Sequence, residues 1–164
     1  MRYFIIDQGF DQDLVKSFVS FVNENEGLIT IYLDSNGGEL PASQIIRDII
    51  NSEPERFTLI AVNAIRSSAF ILFFSVKCKR RIFEDTTGLH HLMGRSARIM
   101  SNGVHSEEVE RFEFKRLKDG HLAEVEFCES IGFSEKEAKS FGSGKDVFFT
   151  TKRLNELLAL QNGI

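Results

Sequence analysis

Ser67 stands at the start of an apolar helix-like run, Ser68 to Val76. A hydroxyl there would sit where backbone N–H groups and the helix dipole favour developing negative charge. A nucleophile so placed would have an oxyanion hole beside it. His90-His91 offers a general base, and in a short strand successive side chains face opposite sides, so only one of the two can face Ser67. Glu124, Glu126 and Glu129 offer a carboxylate to orient an imidazole. Gly37-Gly38, between a β-branched run and a helix, can turn backbone N–H groups toward an oxyanion. Each feature has an ordinary alternative. Serine is a preferred N-cap, glycine pairs make tight turns, adjacent histidines serve packing, and glutamates form solvated faces.

Other chemistries are less well served. Neither G-x-x-x-x-G-K nor G-x-G-x-x-G occurs, so phosphate and dinucleotide loops are not indicated. Two adjacent histidines without further spaced ligands do not make a metal site. No metal and no cofactor are expected.

The elements that must position these residues follow from periodicity. Tyr3 to Ile6 is β-prone, and from Asp11 the residues Leu14, Val15, Phe18, Val19 and Val22 recur at helical spacing. Leu28 to Leu33 is a nearly continuous apolar and β-branched run, the mark of a buried parallel strand ending at Asp34. Beyond Gly37-Gly38, Pro41 suits a first helical turn, and Ile45, Ile46, Ile49 and Ile50 form an apolar face. Phe57 to Val62 repeats the buried-strand signature; 63–67 reads as a turn into the helix at Ser68. This β-α-β-α-β-α alternation predicts an α/β fold of repeated β-α-β units around a mostly parallel sheet, with the ligand crevice at the strand C-terminal ends. Both Gly37-Gly38 and Ser67 belong at those ends. Further on, Arg81 to Phe83 and Leu89 to Met93 read as short strands, Ser106 to Lys118 as a charged helix, and Ser134-x-x-Glu137 as a capping box. Asp146 to Phe149 and Thr151 to Leu160 complete the chain as strand and helix.

Composition sets the class. The 164 residues carry 20 Lys+Arg against 24 Asp+Glu, for a formal net charge of −4. Sequence-independent binding to nucleic acid is therefore not expected. The longest apolar stretch, Ala69 to Val76, is far short of a membrane span. The first residues meet Asp7 too early for a signal peptide, so a cytoplasmic location is expected. Cys78 and Cys128, the two cysteines, have no C-x-x-C spacing and read as free thiols. One domain spanning 1–164 is expected, and the 16 Phe suggest buried interfaces.

The order of these motifs resembles the proteolytic subunit of the Clp protease (ClpP) and its phage relatives, within the ClpP/crotonase fold. Ile31-Tyr32-Leu33-Asp34-Ser35-Asn36-Gly37-Gly38 is similar to that family's strand and "I-N-S-P-G-G" loop, with Asn36 where Pro is usual. Ser67-Ser68-Ala69-Phe70-Ile71-Leu72 resembles the nucleophile helix, Lys77-Cys78-Lys79-Arg80 the "K-G-K-R" after it, and Leu89-His90-His91 the "M-I-H" that ends in the base. Phe133-Ser134-Glu135-Lys136-Glu137-Ala138 resembles the start of the closing helix. The resemblance runs from Arg2 to Val147.

It implies a serine peptidase with Ser67 as nucleophile, His91 as base, Glu129 as orienting acid, and the N–H groups of Gly38 and Ser68 as oxyanion hole. Aligned backward from Ala69-Phe70 and Lys77 to Arg80, the nucleophile slot falls on Arg66 instead, and counting back from Ser134 puts Ser130 in the acid slot. His90 is the alternative base. With Arg66 in the nucleophile slot the chain would be a non-catalytic subunit serving as an assembly or binding scaffold. The implied substrate is a peptide or unfolded protein, and the implied assembly a homo-oligomer, helped by Val109, Phe112, Phe114 and Leu117. The sequence starts at the first core strand, and the family's handle is shortened to about Ser106 to Lys118. From the first of these, docking to a Clp-type ATPase is not expected; from the second, the resemblance implies lost or altered stacking of two rings.

Overall fold

The structure, a computed structural model, describes residues 2–91 and 107–163, with the side chains of 107–118 outside that description. Residues Met1–His90 with Val147–Ile164 form one compact body and His91–Asp146 another.

The first body is built on a six-stranded sheet of order β1-β2-β3-β5-β6, with β4 also paired to β3. Its strands are β1 (Arg2–Ile6), β2 (Ile29–Ser35), β3 (Phe57–Arg66), β4 (Lys79–Ile82), β5 (Thr87–His90) and β6 (Val147–Phe149). Every pairing is parallel except β5 with β6. Helices α1 (Gln12–Glu24), α2 (Leu40–Ser52), α3 (Ser68–Ser75) and α6 (Thr151–Gln161) accompany it. The predicted α/β alternation is present.

Asp11 opens α1 by accepting a hydrogen bond from the Leu14 N–H, and Leu14, Val15, Phe18 and Val22 bury one helical face. In α2 the buried face is Ala42, Ser43, Ile46 and Ile50, whereas Ile45 is exposed, so the expected four-isoleucine face is rotated. α3 is apolar nearly all round, and its Phe70, Phe73 and Phe74 are buried. Each such ring contributes about 2 to 3 kcal/mol by leaving water. Arg80 secures α6, donating to the Phe73 carbonyl and to the Gln161 and Asn162 side chains.

Ile29, Ile31 and Leu33 of β2 and Phe57, Leu59 and Ala61 of β3 are buried on one face of the sheet. The other face is not closed as the apolar runs suggested. Tyr3 and Ile5 remain exposed, and Tyr32, Ile60, Val62 and Phe83 line an open groove of about 1040 Å³.

Several strand boundaries differ from those expected. β3 continues through residue 66 instead of turning at 63, β4 starts at Lys79 rather than Arg81, and β5 starts at Thr87 rather than Leu89. Residues 92–93 lie outside the described residues.

The second body holds α4 (Glu107–Ser130) and α5 (Glu135–Gly142). α4 runs twelve residues past the expected end at Lys118, so Glu124, Glu126 and Glu129 are helical. The side chains of Val109, Phe112, Phe114 and Leu117 lie outside the described residues. At α5 the capping box is complete: Ser134 Oγ accepts from the Glu137 N–H, and the Glu137 carboxylate accepts from the Ser134 N–H.

Both thiols are buried. Burial raises Cys78, opposed by the Leu59 backbone hydrogen bond and the Arg80 charge. Burial, then the charges of Glu124 and Glu129, push Cys128 up to about 12. Only a thiolate attacks a thiol reagent, so neither cysteine should react in the native protein at about pH 8, and both should react once denaturant is added. Rapid reaction of one thiol before unfolding would contradict this account.

Candidate active site

The site is built where β2 and β3 end. Leu33 pairs with Ala61, but Ser35 pairs with Ile65, so β3 carries two residues more than β2 across this step. Asn63 takes up the excess at φ 57, a left-handed conformation that asparagine tolerates. Asp34 staples the bulge, its carboxylate accepting from Asn63 Nδ2 at 3.0 Å and from the Ala64 N–H at 3.2 Å. Strand periodicity alone does not predict this bulge. Its signal was an aspartate closing one strand opposite an asparagine in the next.

Ser67 follows β3 directly, at φ 52 and ψ −124. For a residue with a Cβ this conformation costs about 1–3 kcal/mol and requires support from its surroundings. Support comes from both sides. The Ser67 N–H donates to the Leu89 carbonyl at 2.9 Å, and its own carbonyl accepts from the Ile71 N–H at 3.1 Å. Ser67 occupies the N-cap position of α3 but makes no side-chain cap hydrogen bond. The ordinary reading of this serine as a cap therefore does not describe what its hydroxyl does. A sharp strand–serine–helix turn of this kind presents a hydroxyl outward, as in the nucleophile elbow of α/β-hydrolases.

Beneath the elbow runs the glycine loop. Gly37 has φ 97, and a Cβ on it would lie 2.8 Å from both the Arg66 carbonyl and Ser67 Cβ. Only glycine allows that approach. Ser35 shapes the loop, its Oγ donating to the Gln8 carbonyl at 2.6 Å and accepting from the Gly37 N–H at 3.1 Å. On the far side, the Phe10 N–H donates to the Gly37 carbonyl at 3.0 Å and the Glu39 N–H to the Phe10 carbonyl at 2.8 Å. A trans peptide points its carbonyl and the following N–H to opposite sides, so the Gly38 N–H faces away from Phe10. Ser68, 3% exposed, ties α3 to this loop by donating its hydroxyl to the Gly38 carbonyl at 3.2 Å. Among the described residues neither the Gly38 nor the Ser68 N–H makes a hydrogen bond. The second is one of the unpartnered donors that open every helix.

The other sequence candidates divide as follows. Arg66 is the last residue of β3, exposed, with its guanidinium donating to Asn36 Oδ1 at 3.1 Å. His90 is 1% exposed and stacks on Phe70 at 5.1 Å, a packing environment. His91, half-buried, directly follows β5 and belongs to the second body. Glu129 is exposed near the end of α4, and the next residue, Ser130, bonds back to its own helix, Oγ to the Phe127 carbonyl at 2.7 Å. No group of three or more His, Cys, Asp or Glu able to hold a metal occurs among the described residues. Nor is any helix there long and apolar enough to cross a membrane.

A mostly parallel sheet thus carries a left-handed serine between strand and helix, seated on a glycine loop, in an α/β protein. The chain belongs to the Clp protease family, whose model matches residues 4–118. Among solved structures it is similar to a point mutant of ClpP1 from Listeria monocytogenes, with a TM-score of 0.69 at 18% sequence identity. That match covers 95% of this chain and 86% of the other, and it concerns the fold. No curated protein matches the chain.

Proposed function

We propose that this chain is a serine peptidase of the Clp type, acting on peptides or unfolded protein. The observation that carries the reading is the left-handed Ser67, with a hydroxyl that caps nothing, beside two N–H groups left without partners. In this reading Ser67 Oγ attacks the scissile carbonyl while His91 takes its proton, and the N–H groups of Gly38 and Ser68 hold the oxyanion. The proton then passes to the leaving amine, and water, activated by the same imidazole, hydrolyses the acyl-enzyme. Glu129 orients the base. The elbow position favours Ser67 over Arg66 as nucleophile, the core stacking of His90 favours His91 as base, and the local bond of Ser130 favours Glu129 as acid.

Self-association belongs to this reading, because Tyr3, Ile5 and Phe83 expose apolar area and surfaces of that kind mark contacts with other chains. Sedimentation velocity reads the size of the assembly.

Without its general base the proposed reaction loses proton transfer from the nucleophile, so His91→Ala is expected to lose most of kcat/KM for peptide hydrolysis, by about a hundredfold or more. Full activity in His91→Ala would take His91 out of the mechanism.

A further inference from the structure

We propose that Arg66 and Asn36 form a subsite that takes a carboxylate next to the scissile bond, supplied either by an acidic side chain or by a substrate's C-terminus. The proposal rests on the peptidase reading and names the substrate class of that same site.

Position comes first. Arg66 immediately precedes the elbow, and its partner Asn36 immediately precedes Gly37, the glycine packed against Ser67. The pair is therefore anchored from both sides of the elbow, on β3 and on the loop. The hydrogen bond to Asn36 gives the guanidinium a preferred place beside the elbow.

The guanidinium also has capacity to spare. Arg47 pairs with Asp48, Arg56 with Glu53 and Arg153 with Glu156, whereas Arg80 is bonded to a carbonyl and two side-chain amides. The Arg66 guanidinium makes no ion pair among the described residues, and Asn36 is its one hydrogen-bond partner there. The rest of its planar fork is open to solvent. Such a fork matches a carboxylate in a bidentate arrangement.

Space is available beside it. Arg66 and Asn36 line a polar cavity of about 410 Å³ with Asp7, Asp34, Asn63 and Thr87. Both Asp34 oxygens accept hydrogen bonds from β3, which leaves its carboxylate occupied by the bulge. Asp7 is the opposing charge, and it gives the test its opposite outcome.

The experiment uses the assembled protein. Labelling with a neutral fluorophosphonate first reports whether Ser67 is activated. A mixture of proteome-derived peptides is then digested, and the cut sites are mapped by mass spectrometry. Matched quenched peptides carrying Glu, Gln or Lys at the enriched position, and a pair with free or amidated C-terminus, separate the two sources of the carboxylate. The expected result is a preference of about tenfold or more in kcat/KM for Glu over Gln, or for the free over the amidated terminus. Arg66→Gln should bring that ratio to about one, Arg66→Lys should keep part of it, and Asn36→Ala should weaken it. Equal rates for Glu and Gln and for both termini, a preference that survives Arg66→Gln, or a preference for Lys that assigns the cavity to Asp7 would each overturn the subsite. Labelling and cleavage without a carboxylate preference remove the subsite alone; no labelling and no cleavage remove the peptidase reading with it.

Discussion

Replacing Ser67 by alanine should lower peptide hydrolysis by about a thousandfold or more, since nothing else in the proposed machinery can form the acyl bond. Fold stability should change by less than about 1 kcal/mol, because the Ser67 hydroxyl makes no hydrogen bond among the described residues and alanine meets the same backbone strain. Glycine at the same position separates function from stability. At φ 52 and ψ −124 it removes the strain of about 1–3 kcal/mol and loses part of that gain to the greater freedom of the unfolded chain. Ser67→Gly is therefore expected to be inactive yet more stable than the natural protein by about 1 kcal/mol, measured by denaturant titration. A Ser67→Gly protein less stable than Ser67→Ala would mean that the elbow is not strained, and the argument from its geometry would fail.

The second large effect is expected at Gly38. Its φ is 148, and an added Cβ would lie 2.3 Å from the Phe10 N and 2.5 Å from the Phe10 carbonyl oxygen. Those are backbone atoms that cannot swing aside. Gly38→Ala must push β1's outgoing chain off the loop and break the two hydrogen bonds through Phe10, at a cost of about 2–4 kcal/mol. The same shift misdirects the Gly38 N–H, so activity per folded molecule should fall by about a hundredfold or more. Circular dichroism melts and active-site titration measure the two effects separately. Gly38→Ala with natural stability and activity would show that the loop does not depend on this contact.

Much of the scaffold was legible because burial in α/β proteins leaves periodic marks. The amphipathic spacing of Leu14, Phe18 and Val22, the β-branched run at Ile29 to Leu33 and the Ser134 capping box each specify their element locally. Other features depend on tertiary support that no window of residues records. Asn63 reads as a turn residue, yet the Asp34 carboxylate holds it as a bulge and lets β3 run on to Arg66. The charged stretch reads as a helix ending at Lys118, yet α4 continues to Ser130. At the site, residue types were visible, but whether Ser67 caps a helix or stands on an elbow is a matter of φ, set by the packing of Gly37 and the Leu89 carbonyl. The open sheet face was invisible for a related reason: β-branched residues mark a strand without stating what covers it.

The central claim is that Ser67 is an activated nucleophile, and covalent labelling with a fluorophosphonate followed by peptide mass spectrometry tests it most directly. The account predicts a single adduct on Ser67 in the natural protein and none in Ser67→Ala or His91→Ala. No adduct in a folded, assembled sample, or one that persists elsewhere in Ser67→Ala, would contradict it and leave the fold serving as a scaffold.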